Sequence, residues 1–247
     1  MELGRICAIF RYPIKSMAGE SLDVARLGWH GIEGDRRFAF RLLNDKSGFP
    51  WLTASKLPHL LLYKPFALDS STAELPTHVR TPDGKEYELR SNELREELSS
   101  RYGSDVELMN LKHGIFDEAC ISVITLGTVH GVARESGRGV DLCDLRRFRP
   151  NVVIETDSAE PFEEDRWMGR TLMFDQGNSG AAPMAAAIEV TMKDERCVMV
   201  NFDPHTAERD SEVMKTVVRM NGNYAGVYGT VVRAGELRVG QVVTLGG

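Results

Sequence analysis

No stretch of this 247-residue chain approaches the roughly 20 consecutive apolar residues that a membrane-spanning helix needs, so no membrane partner is expected. Cysteine is scarce. There are four, and no two stand close enough for a CxxC pair. That argues against a zinc knuckle or a redox dithiol, and the density is too low for a disulfide framework. A positive excess is also missing. Thirty Lys and Arg face 36 Asp and Glu, for a net charge of -6, which excludes a broad nucleic-acid footprint. Any anion must be held by a local basic cluster. The chain has no HExxH, no P-loop, no GxGxxG after a strand, no internal repeat and no low-complexity tract. The opening MELGRICAIFRYP is too short and too interrupted to read as a signal peptide, and a reducing, cytoplasmic setting is expected.

What is present is an ordinary globular composition, 42% hydrophobic and 27% charged, long enough for one large domain or two small ones. Short strand-like runs dominate. RICAIFRYPI alternates and stops at Pro13, DVARLGWHG leads into a glycine turn, and RRFAFRLLND ends in Asn-Asp. HLLLYKPFAL reads as a further strand, which Pro65 confines to an edge. HVRTPDGKEYELR reads as a hairpin around Pro82-Asp83-Gly84, and TVVRAGELRVGQVVTL as strand, turn, strand. Helices are few. SNELREELSSRYG has a capping start and a glycine stop, ISVITLGTVHGVARESG is compatible with a helix starting near Ser122 or Thr125, and AERDSEVMKTVVRMNG suits a helix ending at Gly222 or a strand. MFDQGNSGAAPMAAA reads as a loop or insertion spanning about 174–187. The pattern predicts a mainly β, barrel-like architecture with a few peripheral helices. A seam near 105–120 divides it into 1–112 and 113–247.

Cys197 is the first candidate for chemistry. If ERCVMVNFDP is a strand, Val198, Val200 and Phe202 share the core face, and Cys197, Met199 and Asn201 share the other. A free cysteine is also often only a small core hydrophobe. Basic residues stand beside turns: Lys15 with Ser16 after Pro13, Arg36 at a glycine-led strand entry, Arg149 before Pro150, and Arg196 beside the cysteine. Arginine forks and lysine ammonium groups at strand ends suit phosphate oxygens, although each alone is ordinarily a solvated charge. None of the six histidines is singled out as a base for Cys197, and Glu163-Glu164 in PFEEDRW reads as a loop face.

RYPIKSMAGE, GDRRFAF, RFRPNVVI, FEEDRWMGRTL and ERCVMVNFDP, in this order, resemble proteins with a MOSC domain, the family named for the C-terminal domain of molybdenum cofactor sulfurase. The first hundred or so residues resemble the β-barrel domain that precedes it in many members. By pattern the chain is similar to the mitochondrial amidoxime-reducing component and to bacterial reductases of N-hydroxylated compounds. The resemblance implies a MOSC-like β-barrel and a pyranopterin molybdenum cofactor (Mo-molybdopterin) whose metal is held by a thiolate at Cys197, the catalytic position. It implies cofactor contacts from Lys15, Ser16, Arg36, Arg149 and Arg196, from Asp117, Glu118 and Ala119 in DEAC, and from Tyr228. At family level it also carries an association with pyridoxal phosphate. The reaction it implies is two-electron reduction of a small N-hydroxylated substrate. No flavin, haem or iron-sulfur motif is present, so the electrons are expected from a separate protein, a flavin reductase or a haem protein.

Two residues depart from the pattern. Glu195 stands where those reductases carry a small residue, and Glu118 replaces a small hydroxyl residue. A carboxylate beside an anionic cofactor is unfavourable unless it points away. MKDERC is polar and turn-like, so an irregular backbone at 195–196 with Glu195 turned outward is expected. Both departures keep a rival reading open, a cofactor or sulfur carrier without redox turnover, and a further one, a cofactor-free interaction domain.

Overall fold

The computed structural model describes residues 1–68, 75–138, 145–175 and 185–246. Cys143 and most of the 174–187 insertion lie outside the described residues. The chain opens with β1 (Glu2–Arg11), β2 (Glu20–Ser21), β3 (Val24–Gly28), β4 (Gly31–Ile32) and β5 (Phe38–Leu42). The short β6 (Lys64–Phe66), β7 (His78–Arg80) and β8 (Glu86–Glu88) follow, then α1 (Asn92–Tyr102) and β9 (Val106–Asn110). The second half holds β10 (Ile121–Thr125), α2 (Leu126–Glu135), β11 (Val152–Thr156), β12 (Thr171–Phe174) and β13 (Ala186–Glu195). It ends with α3 (Ser211–Asn221), β14 (Tyr224–Arg233), β15 (Gly235–Arg238) and β16 (Val242–Leu245).

Seven strands close into a barrel in the order β1-β11-β10-β14-β13-β12-β16, with β16 returning to β1. The closing strand is the first of the chain, and it pairs antiparallel with β11 and β16. At its crossing with β11 stands Gly4, where a Cβ would drive into the Glu155 carbonyl. The barrel interior is filled by inward-facing side chains such as Ile6, Val123, Ile154, Phe174, Ile188 and Val227. The small sheets β5-β9 and β6-β7-β8 belong to the barrel-like N-terminal part, while β15-β3-β4 packs Ala25, Leu27, Ile32 and Leu237 against the core of the seven-stranded barrel.

Local chemistry accounts for the helices. Ser91 caps α1 by accepting from the Leu94 N–H, and Gly103 ends it with φ 83°. Asp210 and Gly222 bound α3 in the same way, so AERDSEVMKTVVRMNG is helical from Ser211. The ISVITLGTVHGVARESG segment divides. Its β-branched start is the fully buried β10, and Thr125 caps α2. HLLLYKPFAL is a correction: Pro58–Leu62 is a 3-10 turn that buries Leu60 and Leu61, and only Lys64–Phe66 pairs as a strand.

The Cys197 segment is a second correction. β13 ends at Glu195, and Val198–Asn201 forms a 3-10 turn rather than a strand. Val198 is therefore exposed, while Val200 packs under α2 and α3 and Phe202 enters the N-terminal core. The turn is pinned to both halves of the molecule, and Cys197 rides at its exposed start.

Candidate functional site

A cavity of about 690 Å³ opens at Cys197, at the end of the barrel where β13, β14 and the loops around β1 and β11 meet. Nine of the ten residues singled out in the sequence line it: Lys15, Ser16, Arg36, Asp117, Glu118, Arg149, Arg196, Cys197 and Tyr228. Ala119 is half-buried and is not among the lining residues.

The backbone that presents these groups is strained. Seven non-glycine residues have positive φ among the described residues, and three of them are Ser16 (66°), Arg36 (45°) and Arg149 (49°). Each such conformation costs on the order of 1 kcal/mol and persists only where surrounding bonds enforce it. Those bonds are present. Lys15 N–H donates to Phe38 O, Arg36 N–H to Tyr12 O, and Arg149 N–H to Arg146 O.

The charges fall into two sets. Arg36 is buried between Asp35 and Asp117, with Nη1 2.5 Å and Nε 2.6 Å from their oxygens. Burial opposes its charge, but the two carboxylates outweigh burial and raise its pKa. Asp117 is likewise held ionised against burial by Arg36 and Lys15. Arg196 lies 2.8 Å from Asp194, and it donates from Nε to Ala225 O and from Nη1 to Phe148 O. These arginines are neutralised. Lys15 and Arg149 differ, for neither has a carboxylate at ion-pair distance among the described residues. Lys15 Nζ donates to Phe116 O at 2.8 Å, and burial lowers its pKa. Arg149 Nη1 donates to Met17 O, while its Nη2 is buried with no hydrogen-bond partner among the described residues. Burial pushes the Arg149 pKa down to about 10, and the nearby Arg36 charge works in the same direction. The cavity thus holds a guanidinium with an unsatisfied buried donor and an ammonium whose charge no carboxylate pairs among the described residues.

The two departing carboxylates sit at the rim. β13 runs through Glu195 but slips register against β14 between Lys193 and Glu195. Glu195 is exposed, and its Oε1 accepts from Asn223 Nδ2 at 3.2 Å rather than from an arginine. Glu118 is exposed as well. Both also border a second cavity, of about 820 Å³, that meets the first at Cys197. Tyr228 donates to Asp117 Oδ1 at 3.4 Å, and burial, then Asp194 and Asp117, raise its pKa, so it remains a phenol.

Sequence reasoning missed Asp194. Its side chain is almost fully buried, accepts from Ser122 Oγ at 3.0 Å and lines the cavity. Burial raises its pKa to about 6 against the opposing pull of Arg196 and Ser122. The folded protein then holds a proton between about pH 4 and pH 6 that the unfolded chain has released. This group's contribution to stability is full below about pH 4 and is lost as pH rises through 6, by up to about 3 kcal/mol. Asp194→Asn is expected to flatten that part of the stability profile, read as urea midpoints from pH 4 to pH 7 relative to wild type. An unchanged slope would mean that the carboxyl titrates normally.

Glu164 is a further correction. It is not a loop face but a fully buried acid that accepts from Thr125 Oγ1 and Thr128 Oγ1 at 2.7 and 2.9 Å, tying the start of α2 to the 163–167 turn. Among the described residues, no group of three or more His, Cys, Asp or Glu is arranged to hold a metal ion, and no helix is long and apolar enough to cross a membrane. Cys197 is the exposed thiol that lines this cavity, and a thiolate is a soft donor.

A closed seven-stranded barrel with a barrel-like N-terminal part and a thiol at the mouth of a cationic cavity defines a class, and the comparisons with known proteins name it. Residues 3–117 match the MOSC N-terminal beta barrel domain and residues 110–244 match the MOSC domain, so the chain belongs to the MOSC family. The chain is similar to the YUAD protein from Bacillus subtilis at 14% identity, over 98% of this chain and 94% of that one, with a TM-score of 0.51. At that identity the likeness concerns the fold. YiiM from Escherichia coli matches at 14% identity over 55% of this chain and 58% of its own, with a TM-score of 0.38. No curated protein matches.

Proposed function

We propose that the cavity binds a pyranopterin molybdenum cofactor with the Cys197 thiolate on the metal, and that the protein reduces N-hydroxylated small molecules. The observation that carries this reading is the pairing, in one cavity, of an exposed thiol with two cations, Lys15 and Arg149, that have no carboxylate at ion-pair distance among the described residues. The residues fit such a group. Lys15 and the Arg149 guanidinium would take anionic oxygens, and Arg36 and Arg196 would add charge-assisted donors already held in place by Asp35, Asp117 and Asp194. The bound cofactor supplies two-electron redox chemistry and a site for the substrate oxygen. The chain's own residues bind, orient and shield. The second cavity gives a small substrate a separate approach to Cys197. Reducing an N–OH group to N–H and water consumes two electrons and two protons. The electrons come from a separate electron-transfer protein, and the setting is the reducing cytoplasm, where Cys197 is not drawn into a disulfide.

Glu118 and Glu195 favour a second reading, a cofactor carrier without turnover, because rim carboxylates weaken the potential that holds an anion. The test is a reductase assay on protein from a cofactor-competent host, with an artificial electron donor and an N-hydroxylated probe such as benzamidoxime. Turnover that depends on bound molybdenum is expected. Metal-loaded protein that releases its cofactor to an acceptor enzyme and turns over no N-hydroxylated probe would establish the carrier.

A further inference from the structure

Tyr12 has no role in the reading above, yet its surroundings are unusual. Its side chain is fully buried and its hydroxyl has no hydrogen-bond partner among the described residues. A buried hydroxyl without a partner is a liability that phenylalanine would not carry. Burial also raises its pKa, so the ring stays a neutral phenol. What the side chain offers here is its face. The guanidinium carbon of Arg149 lies 4.2 Å from the ring centroid, and that of Arg36 lies 5.1 Å from it. Gly19 makes room, because a Cβ there would strike the ring. The backbone of Tyr12 binds the same group of residues: its N–H donates to Asp35 Oδ1 at 2.6 Å, and its carbonyl accepts from Arg36 N–H at 2.8 Å. Arg36 Nη2 in turn donates to Arg149 O at 2.9 Å.

We infer that Tyr12 is a positioning residue whose ring face holds Arg149, and less closely Arg36, as charged guanidinium groups ready for an anionic ligand. The inference rests on the reading of the cavity as an anion site. The negative face of an aromatic ring attracts a cation, and the attraction grows when water is excluded. Arg36 has two carboxylates to keep it charged. Arg149 has no carboxylate at ion-pair distance among the described residues, and it also faces the like charge of Arg36. Asp35 and Asp117 favour its charge only from beyond ion-pair distance, and the ring face in direct contact adds to them. It does so without neutralising the charge, which a carboxylate would, so the site keeps its attraction for anions.

The test uses the full chain, free of metal and cofactor, with inorganic pyrophosphate as the probe in calorimetric titrations. Tyr12→Phe is expected to bind within about twofold of wild type, because the ring is retained. Tyr12→Leu is expected to bind roughly tenfold more weakly. So is Tyr12→pentafluorophenylalanine, which keeps the ring's shape and reverses its quadrupole, so the answer does not depend on the leucine variant folding. The second readout is the Arg149 Nε–H resonance, which ring currents move upfield in wild type and Tyr12→Phe and which returns to its ordinary position in Tyr12→Leu. Equal affinity in the pentafluorophenylalanine variant and wild type overturns the proposal. So does a Tyr12→Phe protein as weak as Tyr12→Leu, because the hydroxyl would then be the acting group. A wild-type protein with the upfield resonance but no pyrophosphate binding supports the stacked arginine and overturns the anion-site reading instead.

Discussion

Cys197→Ser protein is expected to retain at least about tenfold less molybdenum than wild type, equivalent to about 1.4 kcal/mol or more of binding. Its melting temperature should move by no more than about 2 °C. The thiol is exposed at the start of a 3-10 turn and caps nothing, and exposed substitutions of this kind shift stability by about 0.5 kcal/mol. The other described cysteines are set apart by their surroundings. Cys7 is half-buried against Val153 O, and burial, then Glu155, raise its pKa to about 11, which disfavours a thiolate. Cys120 is half-buried and packs against the barrel core. Cys7→Ser and Cys120→Ser are expected to keep the metal, read by elemental analysis of folded protein. Loss of metal from either one, with retention in Cys197→Ser, would place the ligand elsewhere.

Gly226→Ala should produce the largest loss of stability at the site. The register of β13 against β14 advances two residues from Lys193 to Glu195 while β14 advances three from Val227 to Tyr224, which is a bulge with one extra residue. Gly226 sits in that bulge at φ 87°, and a Cβ there would lie 2.8 Å from Val123 O and 2.9 Å from Arg196 Nη2. The bulge lets Ala225 O accept from Arg196 Nε at 2.6 Å, so it aims this arginine. Backbone strain and crowding together are expected to cost about 3 kcal/mol. That corresponds to a fall in melting temperature of roughly 6–12 °C. Gly84 is an internal control, since it has the same φ of 87° with nothing within 4 Å of an added Cβ. Gly84→Ala should show the backbone part alone, about 1 kcal/mol. Equal losses in the two variants would mean that Gly226 is required for its φ and not for the room it gives Arg196.

Much of this was legible in the sequence because motifs carry residue types in fixed order. Lys15, Arg36, Arg149, Arg196 and Cys197 were each readable beside a turn, and the fold brings them to one cavity. Capping made α1 legible at both ends, whereas for α3 only the Gly222 stop was legible and the VMKTVV run left a strand open. The misses have physical causes. VMVNF alternates like a strand, and nothing local marks it as a 3-10 turn pinned from both sides. Glu164 looks like surface because its partners, Thr125 and Thr128, are more than 30 residues away in sequence. The same applies to barrel closure, which pairs the first strand with residues 152–156 and 242–244. The left-handed backbone at Ser16, Arg36 and Arg149 leaves no trace either, since none of these residue types favours it, and at Ser16 and Arg36 the enforcing bonds run to residues distant in sequence, Phe38 and Tyr12. Asp194 and Tyr12 stand out by their burial, which sequence spacing does not report.

The most direct test of the central claim is the molybdenum and pterin content of wild-type protein purified from a host that makes the cofactor, measured together with alkylation of Cys197. The account predicts close to one molybdenum and one pterin per chain, with Cys197 resistant to iodoacetamide when loaded and reactive once the cofactor is stripped. Protein that carries neither metal nor pterin under those conditions, or that carries both while Cys197 alkylates freely, would contradict it.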